Sequence, residues 1–499
     1  MGTVLKKDAI KSAVSQLQFD TDAFIDGQFV KPVGGKTFAT ENPATGRELA
    51  QIAECEAADV DRAVTAAKKA FDSGSWSRMA PCSRKKILQK FCDRMAEHEL
   101  ELALLDCLEA GKPVRDCIQI DAPETIACIR WHAEAADKLY DHVSPTGPEN
   151  LGLIVREPIG VVGAVIPWNF PAQMAAWKIG PILATGNSLI LKPAEQTSLS
   201  AILMAKLAAE AGMPEGVFNV VPGFGETVGR AIGMHMDVDM VAFTGSTEVG
   251  RYFLEYAAKS NLKKIILECG GKSPQVVMED ADLDVVAENA VSAAFWNMGE
   301  NCSCGSRLIV QKNIKDALVK KIADIVSQWK TGDPLDPENK LGSMIEKPHM
   351  EKVLGYIEAG KNEGAKIVLG GKQILKESGG CFVEPTIFDG VTNSMKIARE
   401  EIFGPVLSVI TFEDEAQAVS IANDTPYGLA ASVYTQNLNA AHRIAKALRA
   451  GTVSVNCFSE GDLGTPFGGY KHSGFFGRDK SIFAHEQYTE MKTVWFNLG

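Results

Sequence analysis

Cys302 lies in the run Phe295-Trp-Asn-Met-Gly-Glu-Asn-Cys302-Ser-Cys-Gly-Ser-Arg307. A thiol among glycine and serine, just past a helix, can be presented to an electrophilic carbon; taken alone, the commoner role of a cysteine is a small buried hydrophobe. Glu268 closes an apolar run in Leu267-Glu-Cys-Gly-Gly-Lys-Ser-Pro274. A carboxylate there is partly desolvated, which raises its proton affinity and suits a general base; it can equally pair with Lys272 or cap the turn. Asn169, in Pro167-Trp-Asn-Phe-Pro171, carries an amide N–H that can serve a developing oxyanion or satisfy its own turn. Two strand-to-helix turns suit phosphates. Gly223-Phe-Gly-Glu-Thr-Val-Gly229 reads GxGxxxG, one residue longer than the dinucleotide fingerprint, and Gly245 and Ser246 open a second helix start. In Lys192-Pro-Ala-Glu195 a glutamate can accept hydrogen bonds from a ribose 2′-hydroxyl and repel a 2′-phosphate, favouring NAD over NADP; the alternative is a surface ion pair.

These residues need a scaffold that brings them together. Short apolar, β-branched-rich runs at 161–166, 188–192, 218–221, 240–243 and 264–267 alternate with helical patterns such as 201–211 and 249–258. That alternation predicts an α/β fold with a parallel sheet covered on both faces and ligands at the carboxyl ends of its strands. Val60, Ala63, Val64, Ala67 and Phe71 share one helical face, with Asp59 as the expected N-cap. A second α/β series starts near Gly270, with Asp282 and Asp414 placed to cap helices and a strand at 308–311. The alternating run 488–497 ends Thr-Val-Trp-Phe, apolar surface that docks on something, a neighbouring subunit for instance.

Composition bounds the function. The 499 residues suffice for two or three structural units, and 63 acidic against 51 basic residues give a net charge of −12, which disfavours a nucleic-acid surface. The longest uncharged stretch, 158–177, holds Pro158, Pro167 and Pro171 and does not read as a bilayer helix. The start, MGTVLKKDAIKS, lacks a secretory apolar core, and Lys6 stands where an acylation signal needs Ser or Thr. The odd number of cysteines, 11, fits reduced thiols and a cytoplasmic setting; neither CxxC nor HExxH occurs, so no metal site is expected.

Taken together, PWNFP, LKPAEQT, GFGETVG, FTGSTEVG, LECGGKSP, GENCSCGSR, EEIFGPV, NDTPYGLAA and PFGGYKHSG resemble the NAD(P)-dependent aldehyde dehydrogenase superfamily, in order and over nearly the whole chain. The resemblance implies a Rossmann-like NAD-binding domain at 1–140 and 160–270, a catalytic domain at 271–470, and a small β oligomerisation element at 141–159 and 487–499 that builds a homodimer or homotetramer. It implies Cys302 as nucleophile, Glu268 as base, Asn169 as oxyanion donor and Lys178 as support for the base and its proton route. Ile166, Trp168, Lys192, Glu195, Gly225, Gly229, Gly245, Ser246, Gly270, Glu401 and Phe403 fall at positions that hold NAD. The implied chemistry is thiolate attack on an aldehyde, a thioester left on Cys302 after hydride loss, and hydrolysis by water that Glu268 activates.

The segments Ile129-Arg-Trp-His and Gly477-Arg-Asp-Lys-Ser resemble dehydrogenases of ω-amino, guanidino and γ-glutamylamino aldehydes. Asp121, Glu460 and Asp462 fall where the tunnel of such enzymes opens, and carboxylates there would attract a distal cation or form a solvated rim. Phe170, Met174, Trp177, Trp296, Phe458 and Phe467 are the expected apolar wall, or simply core. Alternatives are a general aliphatic or aromatic aldehyde dehydrogenase and a non-catalytic binding member, which retention of Cys302 and Glu268 opposes. The departures are Glu300 in place of Gln, Cys304 two residues past the nucleophile, where it could pair with Cys302 on oxidation, and one extra residue in Ser473-Gly-Phe-Phe-Gly-Arg478.

Overall fold

A strand that is apolar at successive positions has no face to give to water, so it must be covered on both sides. The computed structural model describes residues 6–499; the Met-Gly start lies outside them. In its eight-stranded sheet the order is Gln28–Val30, Ala23–Ile25, Phe218–Val220, Ser188–Lys192, Val161–Val165, Met240–Gly245, Lys264–Cys269, Gly474–Phe475. The five central strands are parallel, and the outer pairings at both edges are antiparallel. Chain order reverses between Val161–Val165 and Met240–Gly245, which opens a crevice at their carboxyl ends.

A second, seven-stranded sheet runs Lys366–Leu369, Thr386–Asp389, Val406–Phe412, Arg307–Gln311, Pro274–Val277, Ala430–Tyr434, Thr452–Val455. All its pairings are parallel except the first, so it too is an α/β layer. A third sheet is small and antiparallel: Asn150–Pro158 lies between His142–Ser144 and Thr489–Asn497, whose nine residues pair with it from Thr489↔Pro158 to Asn497↔Asn150. The extra residue near Phe475 lies at the strand Gly474–Phe475, which returns from the chain's last tenth to pair with the Glu268 strand.

Helix starts follow local chemistry. Asp282 accepts from the N–H groups of Asp284 (3.0 Å) and Val285 (3.3 Å) to open helix Leu283–Phe295. Asp414 accepts from Gln417 N at 2.9 Å to open Glu415–Asn423. Asp59 differs from its expected place: helix Ala57–Ser73 starts three residues earlier, and Asp59 reaches back to accept from Glu56 N at 3.0 Å. Every residue of helix Pro171–Ala184 is buried, its lysine included. It is packed against helix Ala122–Ala135, where Gly180 leaves room for the His132 ring, 2.6 Å from where a Cβ would stand.

Candidate active site

Helix Leu283–Phe295 gives way to a turn, Trp296–Gly299, in which Asn297 (φ 52°) and Met298 (φ 55°) take left-handed conformations. That reversal delivers residues 300–306 to the amino edge of the second sheet, where they lead into strand Arg307–Gln311. Cys302 is partly exposed and lines two cavities at once, one of about 360 Å³ and one of about 250 Å³. Burial, and then the carboxylates of Glu460 and Glu268, push its thiol well above the ordinary range, so the resting sulfur is protonated and needs a base. Cys304 does not join it. It is buried with Sγ 3.6 Å from Ala294 O and lines neither cavity, which removes the expected partner for an oxidised Cys302.

Glu268 stands at the carboxyl end of strand Lys264–Cys269, in register with Thr244 on one side and Gly474 on the other. It lines the smaller cavity and is buried, with neither oxygen hydrogen-bonded among the described residues. Burial first, then the Asp479 carboxylate, holds its proton affinity well above the carboxylate range; Lys178 and Arg478 act the other way. The ion pair with Lys272 does not form: Lys272 Nζ is buried without a partner among the described residues, and burial brings its pKa down to about 7. Lys178 instead meets Asp479 at 2.6 Å, both buried. Asp479, which the sequence did not single out, therefore pairs with the lysine and acts on the base.

Asn169, on the wall of the smaller cavity, donates Nδ2–H to Glu300 O at 3.1 Å, and its second amide proton has no acceptor among the described residues. Its own carbonyl accepts from Asn297 Nδ2 and from Lys112 Nζ, each at 3.1 Å.

The smaller cavity gathers Trp168, Gly245, Ser246, Gly270, Glu401 and Phe403 with Glu268 and Cys302. Glu401 lies on the glycine turn: it accepts from Gly271 N at 2.8 Å, and a Cβ on Gly270 would stand 2.0 Å from its Oε2. Burial raises its pKa to about 7. Phe403, with φ 58°, packs edge-on to Trp168 at 5.3 Å. Ser246 caps helix Thr247–Lys259 by accepting from Val249 N, which leaves the helix start facing the cleft. The remaining cofactor candidates, Ile166, Lys192, Glu195, Gly225 and Gly229, stand outside this cavity. Ile166 N bonds Lys192 O at 3.1 Å, and Lys192 pairs with Glu195 at 3.1 Å. Glu195 lines a neighbouring cavity of about 460 Å³ beside Phe224. The extra residue of GxGxxxG is taken up as a π turn over Gly225–Gly229, and Gly225 faces open space. Glu401 as a carboxylate acceptor, the Ser246 helix start and a cavity reaching the sulfur suit a dinucleotide.

The larger cavity is walled by Phe170, Met174, Trp177, Trp296 and Phe458. Glu460 and Asp462 line it as expected from their loop, and Glu460 takes a hydrogen bond from Ser303 Oγ. Two tunnel expectations fail. Asp121 is buried in an ion pair with Lys112 at 3.0 Å, because a π turn over Cys117–Asp121 swings it inward; Glu124, one helical turn on, lines the cavity instead. Phe467 is fully buried behind Trp177, 5.2 Å between ring centroids. Glu124 accepts from Gln173 Nε2 at 2.6 Å, and burial, then Asp121, raises its pKa. Lys480 is the one cation on the lining among the described residues; it donates to Glu460 O at 2.9 Å.

Residues 29–494 match the model of the aldehyde dehydrogenase family. An aminoacetaldehyde dehydrogenase of Pseudomonas aeruginosa is 53% identical over 500 residues, covering 100% of both chains. A solved indole-3-acetaldehyde dehydrogenase in complex with NAD+ is similar at TM-score 0.98 and 51% identity, over 99% of this chain and 100% of that one. A γ-glutamyl-γ-aminobutyraldehyde dehydrogenase from Burkholderia cenocepacia is similar at TM-score 0.97 and 51% identity, over 99% and 100%.

Proposed function

The chain belongs to the aldehyde dehydrogenase family and oxidises an aldehyde with NAD, and from that premise we propose that Cys302 is the nucleophile and that the substrate carries a distal cationic or amide group. The observation that supports this most is the position of Cys302 on the wall between two cavities, one holding Glu268 and Glu401, the other the aromatic wall and the carboxylates. Glu268, whose raised proton affinity makes it a capable acceptor, takes the thiol proton as sulfur attacks the carbonyl carbon. The free Nδ2 proton of Asn169 and the Cys302 N–H hold the oxyanion. Ser246, Glu401 and Phe403 on the smaller cavity would hold NAD, which would supply the hydride acceptor for this adduct. Once it has passed that proton on to solvent, the Glu268 carboxylate deprotonates a water that attacks the Cys302 thioester, releasing the acid and a thiolate that is protonated again; retention of this base favours water over other acyl acceptors. Lys178, paired with Asp479, tunes that base.

Three carboxylates against one ammonium line the larger cavity, and Glu124 has no cation within 4.0 Å among the described residues. An ammonium or guanidinium group on the substrate would meet that charge, and two relatives are named for amino-group-bearing aldehydes. A second reading, an uncharged aromatic aldehyde, draws on Phe170, Trp177 and Trp296 and on the indole-3-acetaldehyde relative. A substrate panel followed by NADH formation separates them. Glu124→Gln is expected to raise KM for ω-amino and guanidino aldehydes about tenfold and leave aromatic aldehydes within twofold; equal effects on both defeat the cationic reading. Cys302→Ala is expected to abolish oxidation while NAD binding, followed by calorimetry, persists.

The three sheets support the NAD-binding, catalytic and oligomerisation units as bounded above, with Gly474–Phe475 added to the first. We assign the small sheet to subunit assembly, as a homotetramer, and the chain to the cytoplasm, in keeping with eleven free cysteines. No helix among the described residues is long and apolar enough to cross a membrane.

A further inference from the structure

A buried ion pair stands behind the site that no step above uses. Lys112 and Asp121, each about 1% exposed, meet at 3.0 Å. Apolar residues of similar size would hold such a place about as well, so stability alone does not account for the charges. The third partner of the ammonium does: Lys112 Nζ donates to Asn169 O at 3.1 Å and lies 3.5 Å from the Phe170 ring centroid. Asn297 Nδ2 reaches the same Asn169 carbonyl at 3.1 Å and Glu300 O at 3.0 Å, and Asn169 Nδ2 returns to Glu300 O at 3.1 Å. The peptide between Asn169 and Phe170 is thus fixed by two donors on its carbonyl. The side-chain amide is fixed from the other end of a closed ring of hydrogen bonds.

We propose that Lys112, tethered by Asp121, is a positioning residue that aims the Asn169 amide at the carbonyl oxygen of the substrate. Its tether lies between Ile120 and Glu124, the residues of that segment that line the substrate cavity, so one ammonium joins the oxyanion donor to the wall that receives the aldehyde. The inference rests on the reading of Asn169 as oxyanion donor, and the test separates the two. The single-turnover rate of NADH formation is measured for Asn169→Ala, Lys112→Met and Lys112→Met/Asp121→Leu, beside melting temperature and the rate of Cys302 alkylation by iodoacetamide, a displacement that develops no carbonyl oxyanion. Lys112→Met is expected to slow NADH formation about 10²-fold, as a misplaced reacting group does, with aldehyde KM and alkylation each within about twofold. The double variant, free of an unpaired buried charge, is expected to regain melting temperature but not rate. Recovery of the rate in the double variant, a parallel fall in alkylation, or an unaffected Lys112→Met refutes the positioning role. An unaffected Asn169→Ala refutes the oxyanion reading beneath it.

Discussion

At the scale of single residues the site is built from buried charges held out of their ordinary protonation states. Glu268 has no hydrogen-bond donor among the described residues and sits in the field of Asp479, so it is a stronger base than a surface glutamate and is ionised only at higher pH. Since only the ionised form can deprotonate water, steady-state turnover limited by thioester hydrolysis is expected to rise with pH through that raised pKa. In Glu268→Gln the first equivalent of NADH is expected to form more slowly, since the thiol loses its proton acceptor, and steady-state turnover to fall at least 10²-fold below wild type, with the pH rise gone; a normal steady-state rate contradicts the assignment. Much of this was legible in the chain, because Cys302, Glu268 and Asn169 each sit in a distinctive local run. Asp121 was not, since spacing alone cannot tell which carboxylate a π turn rotates inward and which it leaves on the cavity. Glu124 lay one helical turn away, and that spacing was the available signal.

Elements were readable where one physical requirement dominates. The run expected at 188–192 is the strand Ser188–Lys192, and the run at 161–166 ends one residue sooner, at Val165, because successive apolar β-branched residues fit little else than a covered strand. The strand Gly474–Phe475 gave no sign: two residues show no period, and its place is set by a distant edge. Caps carry a measurable share of the geometry. Asp282 opens the helix whose far end presents Cys302, and Asp282→Ala is expected to cost about 1 kcal/mol, seen as a lower urea midpoint at unchanged slope. Aldehyde KM should stay within twofold, since the cap lies a full helix length from the sulfur. An unchanged midpoint would show that the helix start is held by packing alone.

Over the whole molecule, the last strand is the least self-sufficient part. Trp495 and Phe496 are 57% and 43% exposed on a sheet of only three strands, more apolar surface than a small sheet carries uncovered. Deleting residues 489–499 is expected to turn the tetramer proposed above into smaller or aggregated species in light scattering, since nine residues of Asn150–Pro158 lose their neighbour. A full-length chain that runs as a monomer removes that role. The sulfur shared by two cavities carries a different consequence, about traffic. On the proposed assignment, aldehyde and dinucleotide approach it through separate doors, so neither blocks the other's way in or out. An inhibitor shaped like the aldehyde should therefore compete with aldehyde and not with NAD, and a molecule meant to shut both doors must bend around position 302.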